Sequence, residues 1–440
     1  MNINKHVALS FLLLLFISVI SKSQILSVKE QTKVIDVILK DRLDNLLPSL
    51  MEKQGIECWL VMSREYNEDP VIKTLLPGDY FAARRTTMLV MYYQPQTKTY
   101  KKFAIARYNV DENFESLWDM KKFPDQWDAL SACIKNLNPK NIALNYSEDF
   151  AHADGLHFTE HQSLEKYLDK SKFVSAQNLA VSWLETRTAL EMEIYPTLIS
   201  ITKNIIKEAF SRKVITLGVT TAEDLEWWFR QRVADLKLST WFQPSIFFQR
   251  KEDQAFDHLK AFTHFENEQR VIKHGDLLHV DFGITYLRLN SDIQEHAYVL
   301  MPDETDAPKE IRDAFVKSNL LQDILTSEFK NGISGNDILK RSLKKADSMN
   351  LKAVIYTHPL GFHGHAAGPT IGLWDQQNGV PGSGDYKVQP QTAYSIELNT
   401  SSYINAWGKE IKIMLEQDGF WDGTHFRYIK GRQTELILIK

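Results

Sequence analysis

The stretch LLHVDFGITYLRLNSDIQ, residues 277–294, places two aspartates in what reads as a β-hairpin. Its apolar and β-prone residues predict two strands, LLHVDFGI with Asp281 and LNSDIQEHAYVL with Asp292. The aspartates are eleven residues apart, and directly opposed residues of a hairpin with an even-numbered loop are separated by an odd number. A turn centred on Tyr286 and Leu287 would make the two carboxylates face each other.

A second pair of acids follows the same rule near the C-terminus. Glu397 lies in AYSIELNT and Glu410 in GKEIKIMLEQDG, thirteen residues apart, so the same parity lets them face each other. No Asn-Gly or Asp-Gly pair marks either turn, so both registers stay open. The two hairpins are expected to bring four carboxylates together.

Opposed carboxylates in a buried setting repel each other unless protons or cations neutralise them. Two divalent ions formally balance four negative charges, and a carboxylate-rich site with one imidazole suits Mn, Fe, Co or Zn. Two such ions can bridge one water molecule, lower its pKa and stabilise a tetrahedral intermediate. The acid pairs therefore predict a centre for two divalent metal ions.

The imidazole is expected from YTHPLGFHGHAAGP, which contains His358, His363 and His365. Glycines at positions 361, 364 and 368 let the backbone approach a site closely. Alone, this stretch reads as a surface turn rich in glycine and histidine. Beside the two acid pairs a metal-binding loop is favoured, because histidine is both a common metal ligand and an acid–base catalyst.

Together these motifs resemble those of the creatinase, aminopeptidase P, prolidase and methionine aminopeptidase superfamily, the pita-bread metallopeptidases. The resemblance covers roughly residues 185–440 and depends on the ligand order Asp, Asp, His, Glu, Glu. In the last strand the family's ligand glutamate lies nine residues before a glycine, which here selects Glu410 over Glu416. The resemblance implies the metal ligands Asp281, Asp292, His358, Glu397 and Glu410. It also implies three catalytic or substrate-contacting residues, which are Glu397, His365 and His264. His264 lies in the stretch THFENEQRVIKHGDLLHVDFG.

The implied fold is α+β, with a C-terminal pita-bread catalytic domain at residues 185–440. Residues 24–184, where helices and strands alternate, are expected to form an α/β creatinase-type N-terminal domain. The implied enzyme is an Xaa-Pro aminopeptidase or prolidase that acts on peptides with proline at the second position. It would use two divalent metal ions, Mn foremost and Co, Zn or Fe as alternatives, and a metal-bridging hydroxide, with Glu397 carrying the proton to the leaving nitrogen. Peptide length preference and assembly, including a homodimer, stay open.

Three positions depart from the family pattern. DIQEH stands where Asp-Ile-Thr-Arg is frequent, Ala366 follows the second histidine where an acid is frequent, and Gly408 stands two residues before Glu410, where Arg or Gln is frequent. Residues that support ligands tune metal affinity and activity. Two alternatives therefore remain: a non-catalytic pita-bread domain that binds a protein partner, and a metal-free creatinase-like hydrolase. The complete ligand set disfavours both.

The N-terminal stretch MNINKHVALSFLLLLFISVISKSQ has the pattern of a signal peptide. A lysine precedes an apolar run from Val7 to Ile20, and Ser21 and Ser23 supply the small residues of a cleavage site. The run is shorter than the ~20 residues of a membrane-spanning helix. Residues 1–23 are therefore expected to be removed on export, which would leave a periplasmic or secreted chain without a stable membrane anchor.

Composition sets broad limits on the chain. With 440 residues, 43% of them hydrophobic, it can bury a large core. A formal net charge of −4 and the lack of a basic run give no electrostatic reason to expect nucleic acid. Cys58 and Cys133 are the only cysteines, and two buried thiols are favoured over a disulfide because Cys58 lies in a predicted buried strand. Capping boxes that predict helix starts are Thr188 with Glu191 and Thr220 with Glu223.

Overall fold

The computed structural model describes residues 25–253 and 270–440. The predicted signal peptide, residues 1–23, and the predicted substrate-contacting His264 lie outside these residues. Within the described part of the chain, no helix combines the length and the apolar character that crossing a membrane requires.

The first half of the described chain is built on a six-stranded mixed sheet. Its strands are β1 (Cys58–Arg64), β2 (Thr86–Gln94), β3 (Thr99–Ile105), β4 (Glu115–Ser116), β5 (Ile142–Leu144) and β6 (Phe173–Ser175). They lie in the order β4-β3-β2-β1-β5-β6, with β1 antiparallel to β2 and parallel to β5. The helices of this half are α1 (Val28–Asp41), α2 (Leu47–Gln54), α3 (Ile72–Leu75), α4 (Gln126–Leu137), α5 (Phe158–Tyr167) and α6 (Gln177–Glu185).

Both faces of this sheet are buried against helices. Trp59 and Val61 of β1 join one apolar cluster, and the alternating neighbours Cys58 and Leu60 join the other. The period of two follows from the strand's alternating side chains. Cys133 of α4 packs in the same cluster as Cys58, and both cysteines are buried free thiols, which confirms the prediction.

The second half contains a nine-stranded sheet and a small three-stranded sheet among the described residues. The strands are β7 (Ser239–Thr240), β8 (Ser245–Gln249), β9 (Leu277–Phe282), β10 (Ile284–Tyr286), β11 (Leu289–Asn290), β12 (Ile293–Val299), β13 (Lys352–Ile355), β14 (His358–Leu360), β15 (Thr392–Ile404), β16 (Lys409–Trp421), β17 (Phe426–Tyr428) and β18 (Ile437–Ile439). The large sheet has the order β13-β15-β16-β12-β9-β8, with β14, β17 and β18 paired to β15, β16 and β12. The helices are α7 (Ala189–Ala209), α8 (Ala222–Asp235), α9 (Lys309–Thr326) and α10 (Gly335–Ser348).

The long strands β15 and β16 separate an apolar face from a polar one. Ile396 and Leu398 of β15 pack in a cluster with residues of α9 and α10, and Ile413 and Leu415 of β16 pack against α9. Because side chains alternate along a strand, the intervening residues, Glu397 among them, lie on the opposite face of the sheet. The described chain is thus an α+β protein with an α/β first half, as predicted.

A buried ion-pair network joins the two halves. Arg42, just after α1, donates to Glu191 Oε2 at 2.7 Å, and Arg187 donates to Glu191 Oε1 at 2.9 Å. All three side chains are fully buried. The Thr188 N–H also donates to Glu191 Oε2, at 2.7 Å, and this confirms the predicted capping box at the start of α7.

The tip of the aspartate hairpin contacts the first half as well. Arg288 donates from Nη1 to the Leu76 carbonyl at 2.5 Å and from Nη2 to the Pro77 carbonyl at 2.7 Å. The backbone N–H of Leu26 donates to the Tyr286 hydroxyl at 3.2 Å. The hairpin is therefore held at its turn by residues from the first half of the chain.

Candidate metal centre

The aspartate hairpin exists, but its register differs from the predicted one by two residues. Asp281 pairs with Gln294, and the turn consists of Leu287 and Arg288, with φ values of 54° and 62°. Two consecutive left-handed residues make a type I′ turn, which fits the twist of the strands. The turn centre lies one residue later than predicted, so Asp292 is diagonal to Asp281 on the same face rather than directly opposite it.

The glutamate hairpin overturns the choice of Glu410. Glu397 pairs with Glu416, whereas Glu410 pairs with Tyr403 near the other end of β16. Six residues of strand correspond to about 20 Å between Glu410 and Glu416. Glu410 forms an ion pair with Lys352, and 41% of its side chain is exposed. The physical reason is the position of the turn, which lies between Ile404 and Lys409 rather than around residues 403 and 404. Glu410 is thirteen residues from Glu397 and Glu416 is nineteen, and because both numbers are odd, parity alone could not distinguish them.

Four directly paired positions form a polar row across the middle of the large sheet. Glu397 of β15 pairs with Glu416 of β16, Glu416 pairs with Gln294 of β12, and Gln294 pairs with Asp281 of β9. Direct cross-strand neighbours share a face of the sheet. The register of four strands therefore assembles three carboxylates and one carboxamide in a line.

Asp292 and His358 complete the cluster beside this row. His358 pairs with Ser395 where β14 joins β15, and its Nε2 lies 3.7 Å from Asp292 Oδ2 and 3.6 Å from Glu416 Oε1. Ligand atoms of Asp281, Asp292 and Glu416 all lie within 4.8 Å of one another, as do those of His358, Glu397 and Glu416. Four of the five predicted ligands are thus brought together, and Glu416 is the fifth member.

Several buried polar atoms in the cluster lack a hydrogen-bond partner among the described residues. They are Asp281 Oδ1, Asp292 Oδ1 and His358 Nε2. Burying such atoms without a partner is costly, and a bound cation is one of the few ways to satisfy a carboxylate oxygen and an imidazole lone pair at one point. The donor set, oxygen-rich with one nitrogen, fits a hard to borderline divalent ion.

The electrostatics of the cluster agree with that fit. Burial raises the pKa of Asp281 and Asp292, and the negative charge of Glu416 raises both further. Burial and the same neighbour raise the pKa of Glu397. Burial also opposes ionisation of Glu416, but interactions with His358, Ser395 and Gln294 outweigh it and lower its pKa. The protein alone therefore stabilises the ionised form of Glu416, whereas ionising Asp281, Asp292 and Glu397 costs free energy.

Three polar residues that the sequence did not single out hold the acids in place. Gln294 donates from Nε2 to Glu397 Oε1 at 2.7 Å and to Glu416 Oε2 at 2.8 Å. Ser395 donates to Glu416 Oε1 at 2.6 Å, and the Asp292 N–H lies 3.3 Å from both Asp418 oxygens. A sequence signal existed for Ser395 and Asp418, because each lies two residues from a glutamate of the row and so shares its face.

The four acids of the cluster lie in the wall of a cavity of ≈ 420 Å³. Aromatic side chains form much of the remaining wall, among them Trp241, Phe242, Tyr356 and Trp374. A pocket of this size with an apolar wall and a few convergent polar groups is typical of a small-molecule or peptide site. Substrate-sized ligands could therefore reach the acids.

The predicted substrate-contacting His365 is part of the same wall. Its ring centroid lies 4.7 Å from that of His358 and 5.2 Å from that of Trp241, and the Tyr356 hydroxyl lies 3.5 Å from its Nε2. Burial, together with the nearby His358, lowers the pKa of His365 to about 4, so the ring is neutral at pH 7. His365 can therefore offer a hydrogen bond without adding a charge.

The glycine-rich stretch allows the close approach predicted for it. A Cβ on Gly364 would come within 2.2 Å of the Trp241 indole, so only glycine leaves room for that ring. The third histidine, His363, takes no part in the acid cluster; its ring lies 4.3 Å from that of His152. The loop thus contributes His365 to the cavity wall and His358 to the ligand cluster.

Comparison with known proteins identifies one family. The model for metallopeptidase family M24 matches residues 197–419, a range that includes every member of the acid cluster and His358. A search of curated proteins finds no match.

Solved structures extend the similarity to most of the chain. An X-Pro aminopeptidase from Thermotoga maritima has a TM-score of 0.62 at 15% identity and covers 88% of this chain and 99% of its own. An Xaa-Pro dipeptidase from Bacillus anthracis has a TM-score of 0.60 at 16% identity, with 94% and 100% covered. A prolidase from Pyrococcus horikoshii has a TM-score of 0.58 at 14% identity, with 93% and 100% covered. At these identities the likeness concerns the fold, and it confirms the predicted pita-bread architecture.

Proposed function

Because the chain belongs to metallopeptidase family M24, we propose that it is a dinuclear-metal peptidase that hydrolyses Xaa-Pro bonds. One observation carries the proposal: four carboxylates converge in a cavity wall beside the His358 imidazole, and several of these ligand atoms are buried without a partner among the described residues. Four carboxylates formally balance two divalent cations, whereas a single cation would leave two negative charges in a buried place.

The proposed ligands are Asp281, Asp292, His358, Glu397 and Glu416. Divalent cations held there would supply Lewis-acid stabilisation of negative charge on the reacting carbonyl. Manganese is the first choice among Mn, Co, Zn and Fe, since the donor set is dominated by oxygen.

The surrounding side chains have separate roles in the proposed reaction. Glu397, in the cavity wall, would carry a proton to the nitrogen of the bond that breaks. His365 is neutral and near the Tyr356 hydroxyl, so either group could donate a hydrogen bond to the substrate carbonyl as charge develops on its oxygen. The predicted partner His264 lies outside the described residues and remains part of the proposal.

The preference for proline is supported by the names of the structural neighbours, which are X-Pro aminopeptidases and prolidases. Their coverage includes the first half of this chain. The aromatic wall formed by Trp241, Phe242 and Trp374 suits an apolar imide ring. A binding protein without activity, or a hydrolase without metal, would have no use for the carboxylate set.

Metal analysis and a substrate panel test the proposal on the purified full-length mature chain. After dialysis and reconstitution with Mn²⁺, Co²⁺ or Zn²⁺, we expect two equivalents of metal and cleavage of Xaa-Pro dipeptides or longer Xaa-Pro peptides. Matched Xaa-Ala peptides serve as the control and should be cleaved more slowly. Bound metal without cleavage of any peptide would support a binding protein, and cleavage without metal would support a creatinase-like hydrolase; either result overturns the proposal.

Export is a separate proposal that depends on the signal-peptide pattern of residues 1–23. The mature chain would then act in the periplasm or outside the cell. Detection of the chain in an exported fraction, with a new N-terminus near residue 24, would support it, and recovery of the uncleaved chain in the cytoplasm would refute it.

A further inference from the structure

Gln294 lies between Glu416 and Asp281 in the polar row, and its side chain contacts two of the acids. It pairs directly with Glu416 on one neighbouring strand and with Asp281 on the other. Its side chain is 4% exposed, and its Nε2 also reaches Glu397, two strands away, at 2.7 Å. A single carboxamide therefore contacts two of the proposed metal ligands.

The orientation of this carboxamide follows from its partners. A carboxylate oxygen accepts hydrogen bonds, so the NH₂ end must face Glu397 and Glu416, with one N–H for each. The Oε1 end then faces His279 Nε2 at 2.9 Å, which makes that nitrogen the donor. The NH₂ and Oε1 groups of Gln294 are thus both used, and turning the amide over would set its oxygen against two carboxylate oxygens, acceptor against acceptor.

Together with Ser395, Gln294 fixes both oxygens of Glu416 and one oxygen of Glu397. Gln294 holds Glu416 Oε2, Ser395 holds Glu416 Oε1 at 2.6 Å, and Gln294 holds Glu397 Oε1. The amide brings two N–H dipoles but no charge, so it reduces repulsion between the glutamates without competing with a cation as a lysine would. The two glutamates are consequently held together before any ion binds.

We propose that Gln294 is a positioning residue of the metal centre, which preorganises Glu397 and Glu416 for a divalent cation. The inference depends on the proposed function, because it takes the acid cluster to be a metal site. Ligands that are held by hydrogen bonds bind metal more tightly, and loss of such a partner typically costs about 10- to 100-fold in affinity.

Gln249 provides a matched control on the same sheet. It is as buried as Gln294, at 5% exposure, and makes two hydrogen bonds, from Nε2 to the Lys412 carbonyl at 2.7 Å and from the Lys412 N–H to Oε1 at 2.9 Å. Its partners are backbone groups rather than proposed ligands. Gln294→Met and Gln249→Met make the same nearly isosteric change, which removes three side-chain hydrogen bonds at Gln294 and two at Gln249, but only the first should affect metal binding.

The experiment measures the Mn²⁺ affinity of full-length wild type and both variants by competition with a chelating dye, and the visible absorption of their Co²⁺ forms. Gln294→Met should weaken Mn²⁺ binding at least about tenfold and alter the Co²⁺ spectrum, while Gln249→Met should do neither. Gln294→Asn, which keeps the amide but is too short to span both glutamates, should weaken binding too and serves if the methionine variant does not fold.

The outcomes separate this inference from the proposed function. Wild-type chain that binds Mn²⁺, with Gln294→Met and Gln294→Asn within twofold of it, overturns the positioning role alone. An equal loss in Gln249→Met also overturns it, because the effect would then be a general consequence of damage to the sheet. Wild-type chain that binds no divalent metal overturns both proposals.

Discussion

Glu416 lies directly opposite Glu397 in the pair of β15 and β16, whereas Glu410 of the same strand lies opposite Tyr403 and contacts Lys352 instead. The two glutamates of β16 therefore form a natural comparison. Glu416→Gln should lower metal affinity by more than the roughly 10- to 100-fold that loss of a supporting residue costs, and should abolish turnover. Titration with Mn²⁺ and assays on Xaa-Pro peptides measure both effects.

Glu410→Gln is the matched control, since it makes the same chemical change on the same strand. Only a partly exposed ion pair is lost, which is worth about 1 kcal/mol or less. Wild-type metal content and turnover are expected. The reverse result, an inactive Glu410→Gln and an active Glu416→Gln, would show that the register observed here does not describe the working site.

Removal of metal should destabilise the protein, because the acid cluster is costly to bury without cations. At an ion concentration about 100 times Kd, binding to the folded chain alone contributes about 2.7 kcal/mol. Melting curves recorded after chelation, and again after Mn²⁺ is restored, should show a fall and a recovery of Tm. The Glu416→Gln protein, treated identically, should respond little; an unchanged wild-type Tm would contradict a metal centre at the cluster.

The buried network of Arg42, Arg187 and Glu191 should stabilise the fold because the carboxylate neutralises the two buried guanidinium groups, more than through packing. Glu191→Ala leaves the guanidinium groups of Arg42 and Arg187 buried without their shared carboxylate, and breaking a buried pair in this way typically costs about 3–5 kcal/mol. Urea unfolding measures the loss. Glu193→Ala, an exposed position on the same helix, should change the free energy of unfolding by no more than about 0.5 kcal/mol; equal effects would refute the role of the network.

Asp69 should make stability dependent on pH. Burial raises its pKa from 3.8 to about 6, although Asn145 and the Val71 N–H donate to it. The folded chain then binds this proton more tightly than the unfolded chain, so stability falls as pH rises from about 4 to about 6. The contribution is at most about 3 kcal/mol, since each pKa unit corresponds to about 1.4 kcal/mol.

Comparison with Asp69→Asn isolates this effect. The free energy of unfolding of wild type, relative to that of Asp69→Asn, should decrease between pH 4 and pH 7 in urea titrations. Asp79→Asn, at an exposed position, should run parallel to wild type. A constant difference between wild type and Asp69→Asn across this range would exclude a raised pKa at Asp69.

Local patterns were sufficient to predict which strands carry the acids, but not how the strands align. The odd separation of Asp281 and Asp292 correctly indicated a shared face. Their turn uses Leu287 and Arg288 in left-handed conformations that usually attract Gly or Asn, so its centre had no sequence signal. The turn between the glutamate strands did have a sequence signal, Gly408. This glycine has a φ of 67° and ends the loop at residues 405–408, so it marks the position of the turn.

Helix starts show the same limit on a smaller scale. The box at Thr188 and Glu191 was predicted correctly, whereas the next helix starts with Thr221 and Asp224, one residue after the predicted Thr220 and Glu223. The role of Gln294 was beyond such reasoning altogether. It depends on one side chain reaching across two strands, and strand order is a property of tertiary structure that residue spacing does not encode.

The hydrogen bonds from Arg288 to the carbonyls of Leu76 and Pro77 predict how the chain responds to truncation. A fragment cut at the borders of the family match, residues 197–419, would lose these hydrogen bonds and discard Glu191 with both of its arginine partners. We expect such a fragment to lose the contacts that support the turn of its aspartate hairpin, and therefore to bind metal less well than the full chain. Activity in this protein would then require nearly the whole polypeptide, and the matched segment alone would not be an autonomous catalytic domain.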